Sequence, residues 1–159
     1  MIKNIITKER LVEFARKAKN KRTNPGADNM TAETALIWIE INGDKLCRQI
    51  ISGKYEPMPL NSFTVAKKDG KPRVLSKLTV IDSVIQNCIL DGISEPLDNK
   101  FSAHSFAYRK SRGMTDAVAA YCRMGETHKF AARLDPYACF DNIDRKILAE
   151  QLSTFIDDD

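Results

Sequence analysis

The chain has 159 residues, 43% of them hydrophobic, which allows one domain or one domain plus part of a second. A formal net charge of +4 and a pI of about 8.9 favour an anionic partner without naming one. No stretch is apolar enough to cross a membrane, MIKNIITKER lacks a signal-peptide core, and four scattered cysteines without a C-x-x-C pair argue against a zinc cluster or disulfide framework, leaving a reducing cytoplasm as the expected setting.

In chain order, Thr7 is placed to cap a helix that buries Leu11, Phe14, Ala15 and Ala18 and runs out at Asn20. NKRTNPGADNM, residues 20–30, is dense in loop signals. Thr31 restarts a helix with Ala35, Leu36, Trp38 and Ile39 apolar; Asn42-Gly43 is expected to interrupt it, and a second short helix ends at Gly53. SFTVAKKDGKPRVLSK, residues 62–77, reads as a β-hairpin around Lys68-Asp69-Gly70-Lys71, with Pro72 marking an edge strand.

Residues 79–97 give the clearest helix: Val80, Ile81, Val84, Ile85, Cys88, Ile89 and Ile93 recur at three- and four-residue steps. Asp82, Gln86 and Asp91 fall on other faces, and Pro96 marks the end. Cys47 and Cys88 read as core fillers. Residues 98–113 are loop-like, and Thr115 or Asp116 opens a helix. KFAARLD, residues 129–135, reads as a short strand, followed by a turn over PYACFDNI and a helix capped by Asp144. The pattern is α+β. A lone strand cannot satisfy its edges, so its sheet partners are missing, belong to another copy, or the segment is not a strand.

Three basic runs stand out. The first is Lys3, Lys8, Arg10, Arg16, Lys17, Lys19, Lys21 and Arg22 against Glu9 and Glu13; the second is Lys67, Lys68, Lys71, Arg73 and Lys77; the third is Arg109, Lys110 and Arg112. One such run is an ordinary solvated face, but three beside turns lean towards phosphate contact.

Five segments resemble, in order, motifs of the group II intron-type reverse transcriptases. NKRTNPGADNMT is similar to N-x-G-x-x-G-x-D-G-x-T, and VAKKDGKPRVL to IPKPDGKKRPL. TVIDSVIQNCILDGISEPL is similar to P-T-x-x-D-R-x-x-Q-x-A-L-x-x-x-L-E-P, and FSAHSFAYRKSRGMTDAV to F-S-x-x-S-Y-G-F-R-P-G-R-S-x-H-D-A. RLDPYACFDNIDRKIL is similar to the first palm motif, D-I-K-x-x-F-D-x-I-x-H-x-x-L. Ser83, Lys110, Pro136, Tyr137 and Arg145 depart from the pattern and leave the subtype open between an intron-encoded protein and a group II-like enzyme of phage defence or another cellular role.

The resemblance implies three parts: a basic extension over residues 1–30, helix-rich fingers over 31–128, and the start of a right-hand palm over 129–159, with residues 129–135 as its first strand. It implies that Asp135 is a catalytic carboxylate and, with the carbonyl of Pro136, a ligand of a two-metal Mg²⁺ site. Lys67, Arg73, Pro136 and Phe140 would meet the incoming dNTP, Phe140 as the steric gate against the ribose 2′-hydroxyl. Arg109, Arg112, Lys21 and Arg22 would contact the RNA template and DNA primer, with intron RNA a further partner. The bland readings stand beside these: a strand-end aspartate, a core phenylalanine, inward-packed aromatics. No Tyr-x-Asp-Asp motif occurs in the 159 residues, so they are expected to be an inactive part of an RNA-directed DNA polymerase, with self-association through the open strand edge conceivable. The alternative is an autonomous RNA-binding or interaction module with the same fold.

Overall fold

The computed structural model describes the whole chain except residues 22, 67–69, 71 and 157–159. The chain packs as two compact units that divide between Ile93 and Ser94. This division reflects packing and stands beside the three-part reading by motif.

The amino-terminal unit opens with a short helix, α1 (Ile2–Ile5), which the sequence reading did not anticipate. It is followed by α2 (Lys8–Asn20), whose cap residue Thr7 accepts from the Arg10 amide at 3.3 Å. Thr31 caps α3 (Ala32–Ile51) in the same way, accepting from the Thr34 amide at 3.2 Å. Ala32, Ala35, Ile39, Gly43 and Leu46 form its buried stripe. The expected interruption at Asn42-Gly43 does not occur. Asn42 stays helical and donates to the Trp38 carbonyl at 3.0 Å. Gly43 lies under the Lys8 stem, where a Cβ would sit 2.8 Å from Cγ, so tertiary packing overrides a weak local breaker. Helices α2 and α3 run antiparallel, tied at Lys8–Asp44, Arg16–Glu40 and Lys19–Glu33. Those exposed pairs set register more than stability.

The hairpin forms as expected, β1 (Asn61–Ala66) against β2 (Pro72–Lys77), with Ala66 opposite Pro72 and Asn61 opposite Lys77. Of the expected turn residues, Lys68, Asp69 and Lys71 lie outside the described residues; Gly70 has φ 78°, the left-handed region glycine takes without strain. Helix α4 (Val80–Asp98) follows. It runs past Pro96, because a proline this close to a helix end forfeits only one late backbone bond, and Lys100 and Phe101 then close the end on Leu97 and Asp98. Asp82, expected on an outer face, is buried. Its Oδ1 accepts from the Tyr55 hydroxyl at 2.7 Å, and its Oδ2 from the Thr79 hydroxyl at 2.6 Å and the Met58 amide at 3.3 Å. Three donors make a buried carboxylate tolerable and pin residues 55–58 to the start of α4.

The core of this unit joins Ile5, Ile6, Leu11, Ala15, Ile39, Leu46, Val84, Ile85 and Cys88, among others. Cys88 is fully buried and Cys47 packs at the core's edge, as expected of core fillers; all four cysteines are free. The Cys88 thiol donates to the Ile5 carbonyl at 3.3 Å.

The second unit holds the end of α4, a loop, α5 (Met114–Gly125), a short 3-10 turn (Cys139–Asn142) and α6 (Arg145–Ser153). Asp116 reaches back to the Gly113 amide at 2.8 Å and opens α5. Asp144 caps α6 as expected, accepting from the amides of Lys146 and Ile147 at 2.8 and 3.3 Å. The expected strand over residues 129–135 is not formed: the segment is irregular and exposed. A strand is stabilised by a neighbour's backbone groups, and the sheet of the described residues holds only β1 and β2. The fold is nonetheless α+β, six helices and an antiparallel hairpin among the described residues. No helix among those residues is long and apolar enough to cross a membrane.

Candidate nucleic-acid interface

Two basic runs far apart in sequence converge on one groove in the amino-terminal unit. The end of α2 brings Phe14, Lys17 and Lys21; the following loop brings Thr23, Asn24, Pro25 and Gly26; the end of β2 brings Ser76 and Lys77; and the start of α4 brings Thr79, Ser83 and Asn87. The groove encloses about 470 Å³. Lys17 pairs with Glu13 at 2.6 Å and lies 4.4 Å from the centre of the Phe14 ring. Lys21 and Lys77 have no ion-pair partner among the described residues, so their charge faces the groove's solvent uncompensated. Ala18, Leu78, Val80 and Val84 complete a largely apolar floor, so the groove offers point cations for phosphates beside an apolar surface for sugars or bases.

The loop wall is built tightly. Gly26 donates to the Met30 carbonyl at 2.8 Å, and Ala27 to the Leu78 carbonyl at 3.0 Å. Asp28 accepts from the Met30 amide at 3.1 Å, a local turn bond. Asn29 takes a left-handed φ of 62°, which asparagine tolerates, at the position where the resembling D-G-x-T motif has glycine. A Cβ on Gly26 would lie 2.7 Å from the Val80 amide nitrogen and from Asp28 Oδ1, so only glycine lets the loop close on α4.

The other expected residues are placed as follows. Arg73 is exposed on β2, opposite Val65. Lys67 and Arg22 lie outside the described residues. Arg109 is engaged internally. Its Nε donates to Asp98 Oδ1 at 2.7 Å, Nη1 to the carbonyls of Ser102 and Ser105 at 2.9 and 3.0 Å, and Nη2 to Asp98 Oδ2 and the Asp98 carbonyl, both at 3.0 Å. Its side chain is 6% exposed. The hydrogen bond from Arg109, then its charge, holds the Asp98 carboxyl below the usual range, and Asp98 raises the guanidinium in return. Arg112 donates to the Ala103 carbonyl and lies 5.9 Å from the centre of the Phe106 ring.

Asp135 and Pro136 are exposed in irregular chain. Phe140 sits in the 3-10 turn, the residue 83% exposed. Ala138 enters that turn with a left-handed φ of 44°, and Asn142 closes it with bonds to the carbonyls of Tyr137 and Ala138 at 3.1 and 3.2 Å. Asp135 and Pro136 thus lie in the irregular segment just before the turn that holds Phe140. The described residues gather no cluster of three or more His, Cys, Asp or Glu side chains. Two Mg²⁺ ions need several oxygen ligands, so the residues present do not by themselves make the expected two-metal site.

Sequence reading named the basic runs without their convergence. Lys17, Lys77, Thr79 and Asn87 carried no motif-level sign of sharing a groove; the loop after α2, bonded from Ala27 to the Leu78 carbonyl, helps to bring them together.

No family model matches the chain. Among curated proteins, the chain is 25% identical over 99% of its length to the COX1/OXI3 intron 1 protein of Saccharomyces cerevisiae, covering 19% of that protein. It is 24% identical over 99% of its length to the protein YkfC of Escherichia coli, covering 43% of it. It is 30% identical over 88% of its length to the group II intron-encoded protein LtrA of Lactococcus lactis, covering 24% of it. The chain thus spans less than half the length of these relatives, and the similarity runs through nearly all of it. The resemblance to group II intron-type reverse transcriptases carried by the five motifs holds at the scale of the whole sequence.

Proposed function

We propose that this chain, a relative of group II intron-encoded proteins, is the fingers and early palm of an RNA-directed DNA polymerase and grips RNA through its basic groove. The carrying observation is that five motifs in family order fall within a chain aligned over 88% of its length with an intron-encoded protein. The groove supports that reading: Lys21 and Lys77 carry charge with no ion-pair partner among the described residues, and Arg73 is exposed on the hairpin. The names of two relatives, an intron 1 protein and a group II intron-encoded protein, favour intron RNA as one ligand.

Within such a polymerase, Asp135 would contribute one carboxylate to a Mg²⁺ site, with the Pro136 carbonyl as a further oxygen donor, and Phe140 would border the incoming dNTP. The remaining acidic ligands are not among these residues, so no catalytic step is assigned to the 159-residue chain.

The test uses the chain as it stands. It binds single-stranded RNA with an affinity that falls steeply with salt, and the K21E/K77E double variant weakens binding at least tenfold at low salt while lowering the salt slope by about two, one per lost phosphate contact. With primer, template, dNTPs and Mg²⁺ it yields no extension product. Reading the gene beyond residue 159 finds a Tyr-x-Asp-Asp motif within about one domain length, roughly 100 residues. Salt-insensitive or absent RNA binding overturns the RNA reading. A natural stop at residue 159 with RNA binding intact overturns the polymerase reading in favour of an autonomous RNA-binding module.

A further inference from the structure

Residues 99–113 carry Lys100, Arg109, Lys110 and Arg112 and no carboxylate. Within this positive loop, Tyr108 is 102% exposed, as open as a side chain can be. Its backbone takes φ 59°, and three residues later Ser111 takes φ 58° where the resembling F-R-P-G-R motif has glycine. A bulky side chain in the left-handed region is an outlier that persists only when its surroundings impose it. Here they do. Arg109 gives all five of its N–H donors to Asp98, Ser102 and Ser105, and Arg112 is fastened to the Ala103 carbonyl. The Arg109 guanidinium also lies 5.6 Å from the centre of the Phe101 ring. Phe101 and Phe106 are thus engaged with arginines, whereas the Tyr108 ring faces solvent from a tip held in a strained conformation. A guanidinium whose five donors are satisfied internally has none left for a phosphate.

We propose that Tyr108 is a stacking contact for an unpaired nucleic-acid base, and that Arg109 is a positioning residue that holds the loop and does not itself touch the backbone. This reverses the expectation that the arginines make the contacts, and it rests on the RNA-binding reading above. Every base offers a π-face, so the contact tolerates any sequence and needs an unstacked strand. The positive loop draws the strand in, and the strained turn keeps the ring from folding back onto it.

The experiment measures binding of a fluorescein-labelled single-stranded RNA of mixed sequence by anisotropy, over a series of salt concentrations, with the full chain and its variants. Y108A lies on the surface and leaves the fold intact by circular dichroism; it weakens binding about tenfold, the scale of one lost base–aromatic stack. Y108F stays within about twofold of the parent, because the ring and not the hydroxyl stacks. R109Q, which removes the charge, weakens binding by a similar factor without changing the salt slope, and Y108A/R109Q is no weaker than Y108A, because both act through one ring. A phosphate-contacting arginine would instead lower the slope by about one. A duplex of the same sequence shows little difference between the parent and Y108A. Should the parent bind RNA with the expected salt dependence while Y108A matches it, the stacking role is overturned and the RNA-binding reading survives. Should R109Q lower the slope by about one, the positioning role is overturned. Should the parent not bind, both readings fall together.

Discussion

The most consequential single residue for the amino-terminal unit is Asp82, a buried carboxylate met by the Tyr55 hydroxyl, the Thr79 hydroxyl and the Met58 amide. Helical periodicity put it on an outer face, and nothing local corrects that, since two of its donors lie 24 and 27 residues away. Burial of Tyr55, reinforced by its bond to Asp82, raises the phenol's ionisation well above the ordinary tyrosine range. A folded-state value above the unfolded one means this stabilisation is whole below the unfolded value, about pH 10, and fades as pH climbs towards the folded one. Y55F is therefore expected to lose about 1 kcal/mol at neutral pH and to flatten the decline in stability on the alkaline side, read by urea unfolding across pH. An alkaline decline unchanged in Y55F would remove Tyr55 from this account. D82N, which leaves a donor facing donors, is expected to cost more, about 2–3 kcal/mol.

At the scale of elements, the sequence was most legible where periodicity is strong and caps are local. The starts of α2 and α3, the existence of the hairpin and the capping of α6 all follow from Thr7, Thr31, Gly70 and Asp144 within a few residues of where they act. It was least legible where a distant partner decides. Gly43 looks like a breaker until Lys8 lies across it, and α1 is too short to announce itself by pattern. That helix docks through Ile5, and a Cβ on Gly92 of α4 would sit 2.6 Å from Ile5 Cγ1. Replacing a helical glycine by alanine ordinarily gains up to about 1 kcal/mol. Here the added methyl overpacks a buried side chain, which costs about 1–3 kcal/mol. G92A is expected to come out net destabilising, and I5A/G92A, in which Cγ1, Cγ2 and Cδ1 are all gone, to lose less than the sum of I5A and G92A; thermal melts of the three variants decide it. A rise in melting temperature in G92A alone would show that α1 gives way freely and adds little to the core.

At the scale of the molecule, the two units differ in how well they are buried. The first has a continuous apolar core, whereas in the second Ala120 is the one buried apolar side chain among the described residues. Phe130, Leu134, Tyr137 and Phe140 stand almost wholly exposed around the expected catalytic turn. This is why the candidate site divides in legibility: the motif residues are recognisable by order and type, but Asp135 and Phe140 are exposed, and no local pattern says what would fix their geometry. Opening free energy follows buried apolar contact and backbone bonding. The amides of Ala35, Ile39 and Leu46 in α3 are therefore expected to exchange slowest, near the global unfolding limit. Those of residues 130–135, which donate no backbone hydrogen bond among the described residues, should exchange at close to unprotected rates. Native-state hydrogen exchange of the chain, followed by mass spectrometry at two protein concentrations, separates the possibilities. Fast exchange at both fits a segment awaiting a sheet partner. Protection that grows with concentration would mean that a second copy supplies the missing neighbour, and protection at both would mean the chain already holds a strand there.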